Sequence, residues 1–159
     1  MTSFASLCAN AALALGADDP DAAAEGDQFN AQGIWCQLSQ CEDRACALLI
    51  CDLGDPHPPT ELDLYRQLLL IQAQFAGNTE AMFIRDPINE ALLFTITLPL
   101  REGLDGKRFA ELITPVLEQV WIWRDTQLKK HFVDYGSRRT SRLAPGATND
   151  TNRRAETLA

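Results

Sequence analysis

The stretch TELDLYRQLLLIQAQF, residues 60–75, constrains the fold most because it carries two apolar rows at helical spacing. One row is Leu64, Leu68, Ile71 and Phe75, and the other is Leu62, Tyr65, Leu69 and Ala73. A helix on the surface of a globular domain needs only one apolar row, which faces the core. Within 159 residues, little sequence remains to cover the second row. We expect this row to contact a second copy of the chain in a twofold dimer; the alternative is that another helix of the same chain covers both rows.

The apolar period on the N-terminal side of this helix predicts one further helix and three strands. A helical row that stops at Gly16 is formed by Phe4, Leu7, Cys8, Ala11 and Leu15. The next segment, ADDPDAAAEGD, is expected to be an acidic loop. From residue 28 the period changes to two, and the turns AQG and CEDR separate three short antiparallel strands. After the loop GDPHPPT, Thr60 and Asp63 resemble a capping box.

A second hairpin and a long helix are predicted on the C-terminal side. AMFIRD and ALLFTITL flank the turn PINE, and the face of the later strand that points to the core carries Leu92, Phe94, Ile96 and Leu98. Helical spacing then runs from about residue 105 to about 131, with Pro115 kinking or restarting the helix. The resulting order, α-β-β-β-α-β-β-α, predicts an α+β two-layer sandwich with helices packed on a strongly bent antiparallel sheet.

Four cysteines in the first hairpin, Cys36, Cys41, Cys46 and Cys51, are spaced five residues apart. On a strand an odd step sends neighbouring side chains to opposite faces, and on a helix five residues turn through about 140°. Zinc ligands instead start from pairs two to four residues apart. We therefore expect no metal site, and we interpret the cysteines as small apolar residues that pack in the hairpin as free thiols.

Both faces of the first hairpin are predicted to be apolar. With CEDR as the tip, one face carries Ile34, Cys36, Leu38, Ala45, Ala47, Leu49 and Cys51, and the other carries Trp35, Gln37, Ser39, Cys46, Leu48 and Ile50. One face must pack under the helices. The other, with Trp35, Leu48 and Ile50, is either buried by a neighbour or left as a binding surface.

Charge divides the chain into an acidic body and a basic end. Residues 1–128 contain 19 Asp and Glu against 7 Lys and Arg, whereas residues 129–159 contain 3 against 7. The acidic body lacks the basic stripe of a nucleic-acid groove, so no nucleic-acid partner is expected. The composition predicts a domain over residues 1–136 and a basic, disordered tail over residues 137–159. The tail provides solubility or, alternatively, contacts an acidic partner or an anionic surface.

No stretch of the sequence resembles a membrane span, which requires about 18 consecutive apolar residues. The N-terminal apolar segment has no preceding Lys or Arg, which favours an amphipathic helix over a signal peptide. We therefore expect a cytoplasmic protein without stable membrane insertion.

Catalytic patterns are not found in the sequence. The two histidines, His57 and His131, lie in a proline-rich loop and at the end of the last helix, with no local pattern that supports a Cys-His pair. Nucleotide-binding glycine motifs and HExxH are absent. The sequence predicts a binding protein and not an enzyme, and a thiol-dependent activity of a hairpin cysteine remains the enzymatic alternative.

The element order resembles that of the class I chaperones of bacterial type III secretion, the Tir-chaperone-like group. The resemblance covers roughly residues 3–128 and is most specific in YRQLLLIQAQFAGNTEAMFIRDPINEALLFTITLPLREGLDGKRFAELI. QFNAQGIWCQLSQ is similar to the early hairpin of the family. The cysteine series and the basic tail depart from the family pattern.

The resemblance implies an ATP-independent chaperone that uses no cofactor and no metal. It implies a homodimer joined through Leu62, Tyr65, Leu69 and Ala73, and an effector-binding surface that includes Phe4, Leu7, Trp35, Leu48 and Ile50. The cargo is the N-terminal segment of a secreted effector, held extended in apolar patches and by strand addition at sheet edges. The ATPase of the export apparatus is a further partner, and a general chaperone for several effectors of a plant-pathogen system is the expected subtype. The alternative is a small adaptor that sequesters a folded protein.

Overall fold

The computed structural model describes residues 3–77 and 80–132 of the chain. Its helices are α1 (Phe4–Ala14), α2 (Pro20–Glu25), α3 (Glu61–Ala73) and α4 (Gly106–Asp125), with 3-10 turns at Pro58–Thr60 and Lys129–His131. Its strands are β1 (Phe29–Ala31), β2 (Ile34–Gln40), β3 (Cys46–Gly54), β4 (Ala81–Arg85) and β5 (Leu92–Pro99). The predicted domain boundary at residue 136 and the predicted tail lie outside the described residues.

The five strands form one antiparallel sheet in the order β1-β2-β3-β5-β4. In the first hairpin Cys36 pairs with Cys51 and Leu38 with Leu49, so the predicted division of the residues between two faces and the predicted tip at CEDR are confirmed. The order places β4 and the short β1 at the two edges of the sheet. The α+β class with helices packed on an antiparallel sheet is therefore confirmed.

A single large core lies between one face of the sheet and the helices. It receives the predicted rows of α1 and α3 and the predicted face of β5, of which Leu92, Phe94 and Leu98 are buried. The row of α4 is also buried, with Phe109, Ile113, Leu117 and Val120 fully inaccessible. The opposite face of the sheet has only a small second cluster, formed by Ala91, Leu93 and Ile50.

Helix α4 is fixed at both ends by close contacts. At its start, Gly106 lies so near α1 that a Cβ atom there would come within 2.3 Å of the Asn10 Cβ atom. Near its end, the Trp121 indole N–H donates to the Gln32 carbonyl oxygen (2.7 Å) in the turn between β1 and β2. The Arg124 guanidinium stacks on the Trp121 ring, 4.9 Å from its centroid. These contacts connect α4 to α1 and to the far edge of the sheet.

The prediction of an acidic loop before β1 is wrong, because Pro20–Glu25 forms the short helix α2. The Asp19 carboxylate accepts from the Ala22 N–H at the start of this helix, and Pro20 occupies its first turn, where no main-chain donor is needed. Gly26 ends the helix in the left-handed conformation, with φ of 79°. The signals for a helix were therefore present in the acidic stretch.

The capping box predicted at Thr60 is also wrong. The Thr60 side chain does not cap the helix and donates instead to the His57 carbonyl oxygen (3.3 Å). A 3-10 turn at Pro58–Thr60 precedes α3 and gives Thr60 a backbone conformation unlike that of a capping residue.

The last helix is shorter than predicted, since α4 runs through Pro115 but ends at Asp125.

Candidate partner-binding surfaces

Helix α3 buries one apolar row and exposes the other. Leu64, Leu68 and Ile71 are buried in the core, as predicted for the first row. Of the predicted dimer residues, Leu62 is 64% exposed, Leu69 is 70% exposed and Ala73 is exposed, whereas Tyr65 is half-buried. Leu70, which the sequence analysis did not single out, is also 64% exposed. The described part of the chain therefore leaves most of the second row uncovered.

An apolar groove of about 360 Å³ separates α3 from the edge strand β4. We call this the α3–β4 groove; it is lined by Tyr65, Leu68, Leu69, Gln72, Met82, Phe83, Ile84, Arg85 and Leu92. Met82 is 50% exposed and extends the exposed row of α3 onto the sheet. The groove and the row thus form one continuous apolar surface, whose strand half was not predicted.

The polar side chains of the α3–β4 groove form a connected group. The Tyr65 hydroxyl and the Arg85 guanidinium both donate to the Glu61 carboxylate, and Arg85 also donates to the Tyr65 oxygen (2.6 Å). Partial burial and the bond to Glu61 raise the pKa of Tyr65. This group joins the first turn of α3 to the end of β4 and gives the groove one polar rim.

A second connection between α3 and β4 is made by Gln72. Its side-chain amide donates to the Ala81 carbonyl oxygen (2.8 Å) and accepts from the Phe83 N–H (3.0 Å). A glutamine on an amphipathic helix gives no sequence signal for such a role, because its partner strand becomes known only with the sheet order.

A larger groove, of about 610 Å³, lies between α1 and the end of β2. We call this the α1–β2 groove; it is lined by Phe4, Leu7, Gln40, Leu100, Arg101, Glu102, Gly103 and Leu104. Two of the predicted effector-binding residues, Phe4 and Leu7, therefore lie together on one concave surface. Phe4 is partly exposed, whereas Leu7 is mostly buried in the core.

The other three predicted effector-binding residues lie elsewhere. Trp35, Leu48 and Ile50 are half-buried on the sheet face that points away from the main core. This face is flanked by Met82 on the edge strand. The structure therefore divides the predicted effector-binding set between the α1–β2 groove and the open face of the sheet.

The cysteine spacing of five is symmetrical about the hairpin tip and creates two cross-strand pairs. Cys36 is the register partner of Cys51, and the Cys41 N–H donates to the Cys46 carbonyl oxygen (3.0 Å). A hydrogen bond with the Cys51 thiol, together with burial, raises the pKa of the Cys36 thiol. A hydrogen bond with the Cys46 thiol raises the pKa of Cys41. Burial raises the pKa of Cys8 to about 12.

These raised pKa values are opposite to those of nucleophilic cysteines, whose thiols are acidified by nearby positive charge. They argue against the thiol-dependent alternative for Cys8, Cys36 and Cys41.

The two histidines are neighbours in space, since the His57 N–H donates to the His131 carbonyl oxygen (2.6 Å). This main-chain hydrogen bond joins the proline-rich loop to the 3-10 turn Lys129–His131. His57 is exposed, whereas His131 is buried.

Residues 3–77 and 80–132 contain neither a metal-binding cluster nor a membrane-spanning helix. Within these ranges, no group of three or more His, Cys, Asp or Glu side chains is arranged to hold a metal ion. In the same ranges, none of the helices combines the length and the apolarity that crossing a membrane requires.

Comparisons with known proteins give one family and several structures of similar fold. The model of the Tir chaperone protein (CesT) family matches residues 13–124. The crystal structure of the ExsC-ExsE complex is similar at 14% identity and a TM-score of 0.46, over 58% of this chain and 68% of that chain. The crystal structure of YbjN from E. coli is similar at 15% identity and a TM-score of 0.49, over 67% of this chain and 81% of that chain. No curated protein matches the chain.

Proposed function

The chain belongs to the Tir chaperone protein (CesT) family, and from this premise we propose that it is a homodimeric chaperone for the N-terminal segments of type III secretion effectors. The family resemblance that the sequence indicated is thereby confirmed. The observation that carries the proposal is the amount of apolar surface that the described chain leaves exposed in and around its grooves. Such surfaces on a small soluble protein mark sites of interaction with other polypeptides.

The dimer is assigned to the exposed row of α3. Leu62, Leu69 and Leu70 project three large apolar side chains from one helix, each more than three-fifths exposed. The row continues onto Met82 of the edge strand, which enlarges the apolar area available to a second copy. A twofold axis would bring the same row of two chains together and close the assembly. The predicted residues Tyr65 and Ala73 belong to this surface.

The effector segment is assigned first to the α1–β2 groove. Phe4 and Leu7 offer apolar contacts on one wall, and Leu100 and Leu104 lie on the other. Arg101 and Glu102 at the rim add charged groups of both signs that can orient a peptide. The open sheet face with Trp35, Leu48 and Ile50 is the second assignment, on which a long extended segment continues around the chain.

Several wider properties accompany this proposal. Binding uses no ATP, metal or cofactor, since the affinity comes from apolar burial against an extended segment. The complex is formed in the bacterial cytoplasm and is passed to the export apparatus, whose ATPase is the expected acceptor. Service to several effectors of a plant-pathogen system is proposed, because wide apolar grooves impose few requirements on the segment.

The effector assignment is tested by co-purification with N-terminal fragments of secreted effectors and, separately, with their folded C-terminal domains. We expect only the N-terminal fragments to be retained, because an extended chain alone can follow the grooves. Phe4→Asp should reduce retention by placing a charge in the α1–β2 groove. Leu13→Asp is the matched control, since Leu13 is 66% exposed on the same helix and does not line the groove. Retention of folded domains alone would favour the adaptor function.

The dimer assignment is tested by light scattering on the purified chain. We expect a dimeric mass for the unmodified protein and a monomeric mass for Leu69→Asp, because the substitution places a charge in an apolar self-interface. Ile122→Asp on α4 is the control, since Ile122 is 54% exposed and lies outside the proposed interface. An unchanged dimeric mass for Leu69→Asp would contradict the assignment.

A further inference from the structure

The tip of the first hairpin places two cysteines opposite each other. Cys41 and Cys46 form the pair that follows the last register partners of β2 and β3 towards the tip. The Cys41 N–H donates to the Cys46 carbonyl oxygen (3.0 Å), and the two thiols are hydrogen-bonded to each other. Opposite residues in such a position have Cα atoms about 5.5 Å apart, within the range of about 4.4–6.8 Å that disulfides span. The pair can therefore form a disulfide without movement of the strands.

This pair also lies outside the main core. Side chains alternate along a strand and Ala47 belongs to the core, so the preceding Cys46 points to the open face of the sheet. Cys36 and Cys51, the other cross-strand pair, are both fully buried in the core. Cys41 is only half-buried, so a small molecule can reach its thiol from solvent. Of the two pairs, the one at the tip is therefore the pair that can react without opening the core.

We propose that Cys41 and Cys46 are a site of reversible oxidation, at which a low-molecular-weight disulfide converts the two thiols into a cross-strand disulfide that holds the hairpin tip closed. The bond makes a covalent loop over residues 41–46. In a reducing compartment the pair stays in the dithiol form, and the loop closes when small disulfides accumulate. This inference goes beyond the proposed function and concerns the free chain.

The reaction consists of two successive thiol–disulfide exchanges. The Cys41 thiolate attacks one sulfur of the small disulfide, which releases one small thiol and leaves a mixed disulfide at Cys41. The Cys46 thiolate then attacks the Cys41 sulfur and releases the second small thiol. The two protons that the protein loses are taken up by the two released thiolates. Two protein thiols are thus oxidised to one disulfide for each small disulfide that is reduced.

The two exchanges differ in what limits their rates. The hydrogen bond with Cys46 raises the pKa of Cys41, so little thiolate is present and the first exchange is slow. The second exchange joins side chains that are already in contact, and this proximity favours it over attack by another small molecule. A slow first step is compatible with a modification that occurs once per chain, whereas a catalytic thiol needs rapid turnover.

The first test treats the reduced, full-length protein with glutathione disulfide and counts the remaining thiols under denaturing conditions. We expect the loss of two of the five thiols, a decrease in mass of two hydrogen atoms, and full recovery with dithiothreitol. Trypsin cleaves after Arg44, so the oxidised chain should give two peptides that separate only on reduction. Unchanged thiol content, a lasting glutathione adduct on Cys41 or a covalent dimer would each overturn the proposal.

Cysteine variants assign the disulfide to this pair. In Cys46→Ser a glutathione adduct should accumulate at Cys41, because no second thiol can displace it. Cys41→Ser should form neither the adduct nor the disulfide. Cys36→Ala, which removes one member of the buried pair, is the matched control and should oxidise as the unmodified protein does. Retention of the disulfide in Cys41→Ser or Cys46→Ser, or its loss in Cys36→Ala, would overturn the assignment.

Amide hydrogen exchange tests whether the disulfide holds the tip closed. We expect the Cys41 amide to exchange more slowly in the oxidised protein, because the covalent loop opposes the local opening that exposes this amide. The amide of Leu49, which is fully buried in the core, should be unchanged. Equal Cys41 exchange in both forms would overturn the closing role. Faster Leu49 exchange after oxidation would show a strained sheet and would contradict the geometry from which the proposal starts.

Discussion

Helices α3 and α4 both carry more apolar side chains than one buried face requires, but they use the excess differently. On α4 the inner row is fully buried, and the exposed Trp121 donates its indole N–H to the turn between β1 and β2. On α3 three residues of the inner row are buried, and Leu62, Leu69 and Leu70 of the outer side have no comparable contact among the described residues. This difference supports our proposal that the outer side of α3 contacts a partner, although α4 also exposes Ile122, at 54%.

The two helices are also anchored differently. α4 lies against α1 at Gly106 and against the sheet along its buried row. α3 is attached to the edge strand by Gln72 near its end and by the Glu61–Tyr65–Arg85 group near its start. A helix held at its ends, with an apolar side facing outward, can accept a neighbour without disturbing the core.

The largest difference is expected between a buried leucine of α4 and an exposed leucine of α3. Leu117→Ala should reduce the free energy of unfolding by about 2–5 kcal/mol, because it leaves a cavity in the core. Leu69→Ala should change it by less than about 0.5 kcal/mol in the monomer. Urea denaturation at a concentration where light scattering gives a monomeric mass provides the comparison. Equal losses for both variants would remove the distinction between the helices.

The contact at the start of α4 is expected to be the next most sensitive. Gly106→Ala places a Cβ atom 2.3 Å from the Asn10 Cβ atom and 2.8 Å from the Asn10 carbonyl carbon, so α1 and α4 must move apart. We expect a loss of about 1–3 kcal/mol, which is typical of overpacking. Lys107→Ala, at the neighbouring exposed position, should have little effect on urea denaturation. A stable Gly106→Ala variant would indicate that the crossing of α1 and α4 is loose.

Acid is expected to loosen the junction between the 3-10 turn Lys129–His131, which follows α4, and the start of α3. Burial and Lys130 lower the pKa of His131 below its ordinary value of 6.5, although Asp63 of α3 opposes the shift. The folded state therefore prefers neutral His131, and its stabilising effect is present above pH 6.5 and is lost as the pH falls through the lowered pKa.

This pH dependence is measured by urea denaturation at a series of pH values across that range. His131→Asn should remove the part of the acid destabilisation that belongs to this side chain. His57→Asn should preserve it, because His57 is exposed. Identical pH profiles for the unmodified protein and for His131→Asn would contradict the assignment.

The smallest effects are expected at the exposed ion pairs, and they should be equal on the two helices. Arg66 pairs with Asp63 on α3, and Lys129 pairs with Asp125 at the end of α4, each at 3.3 Å and with both side chains more than three-fifths exposed. Arg66→Ala and Lys129→Ala should each change the free energy of unfolding by less than about 1 kcal/mol. A large effect of Arg66→Ala alone would place that side chain in an interface.

Much of the fold follows from apolar periodicity, because periodicity records which side of an element is buried. The two rows of α3, the core face of β5 and the hairpin face that carries Cys36 and Cys51 are all of this kind. Local signals were misjudged where polar residues dominate. The acidic stretch before β1 contains Asp19, Pro20 and Gly26 in the positions of a short helix, and its charge obscured them.

The candidate site was predicted only in part, because its other half depends on tertiary neighbours. The exposed row of α3 is visible in sequence, but Met82 joins it only because β4 is an edge strand. Gln72, which bonds to Ala81 and Phe83 of β4, is likewise a polar side chain whose role depends on the sheet order. The predicted effector-binding residues were chosen for their hydrophobicity, which does not reveal where they lie in the fold. The structure places Phe4 and Leu7 in the α1–β2 groove, and Trp35, Leu48 and Ile50 on the open face of the sheet.

The symmetrical cysteine series gives the hairpin a built-in attachment point for spectroscopy. Cys8, Cys36, Cys46 and Cys51 are buried, and Cys41 at the tip is the one accessible thiol among the five. A maleimide fluorophore added to the reduced native protein should therefore label Cys41 alone, and slowly, because the raised pKa of this thiol reduces the thiolate that reacts; no cysteine-free background has to be engineered. Energy transfer between dyes on two copies, or between a dye and a labelled effector peptide, then measures how the tip is placed in each assembly.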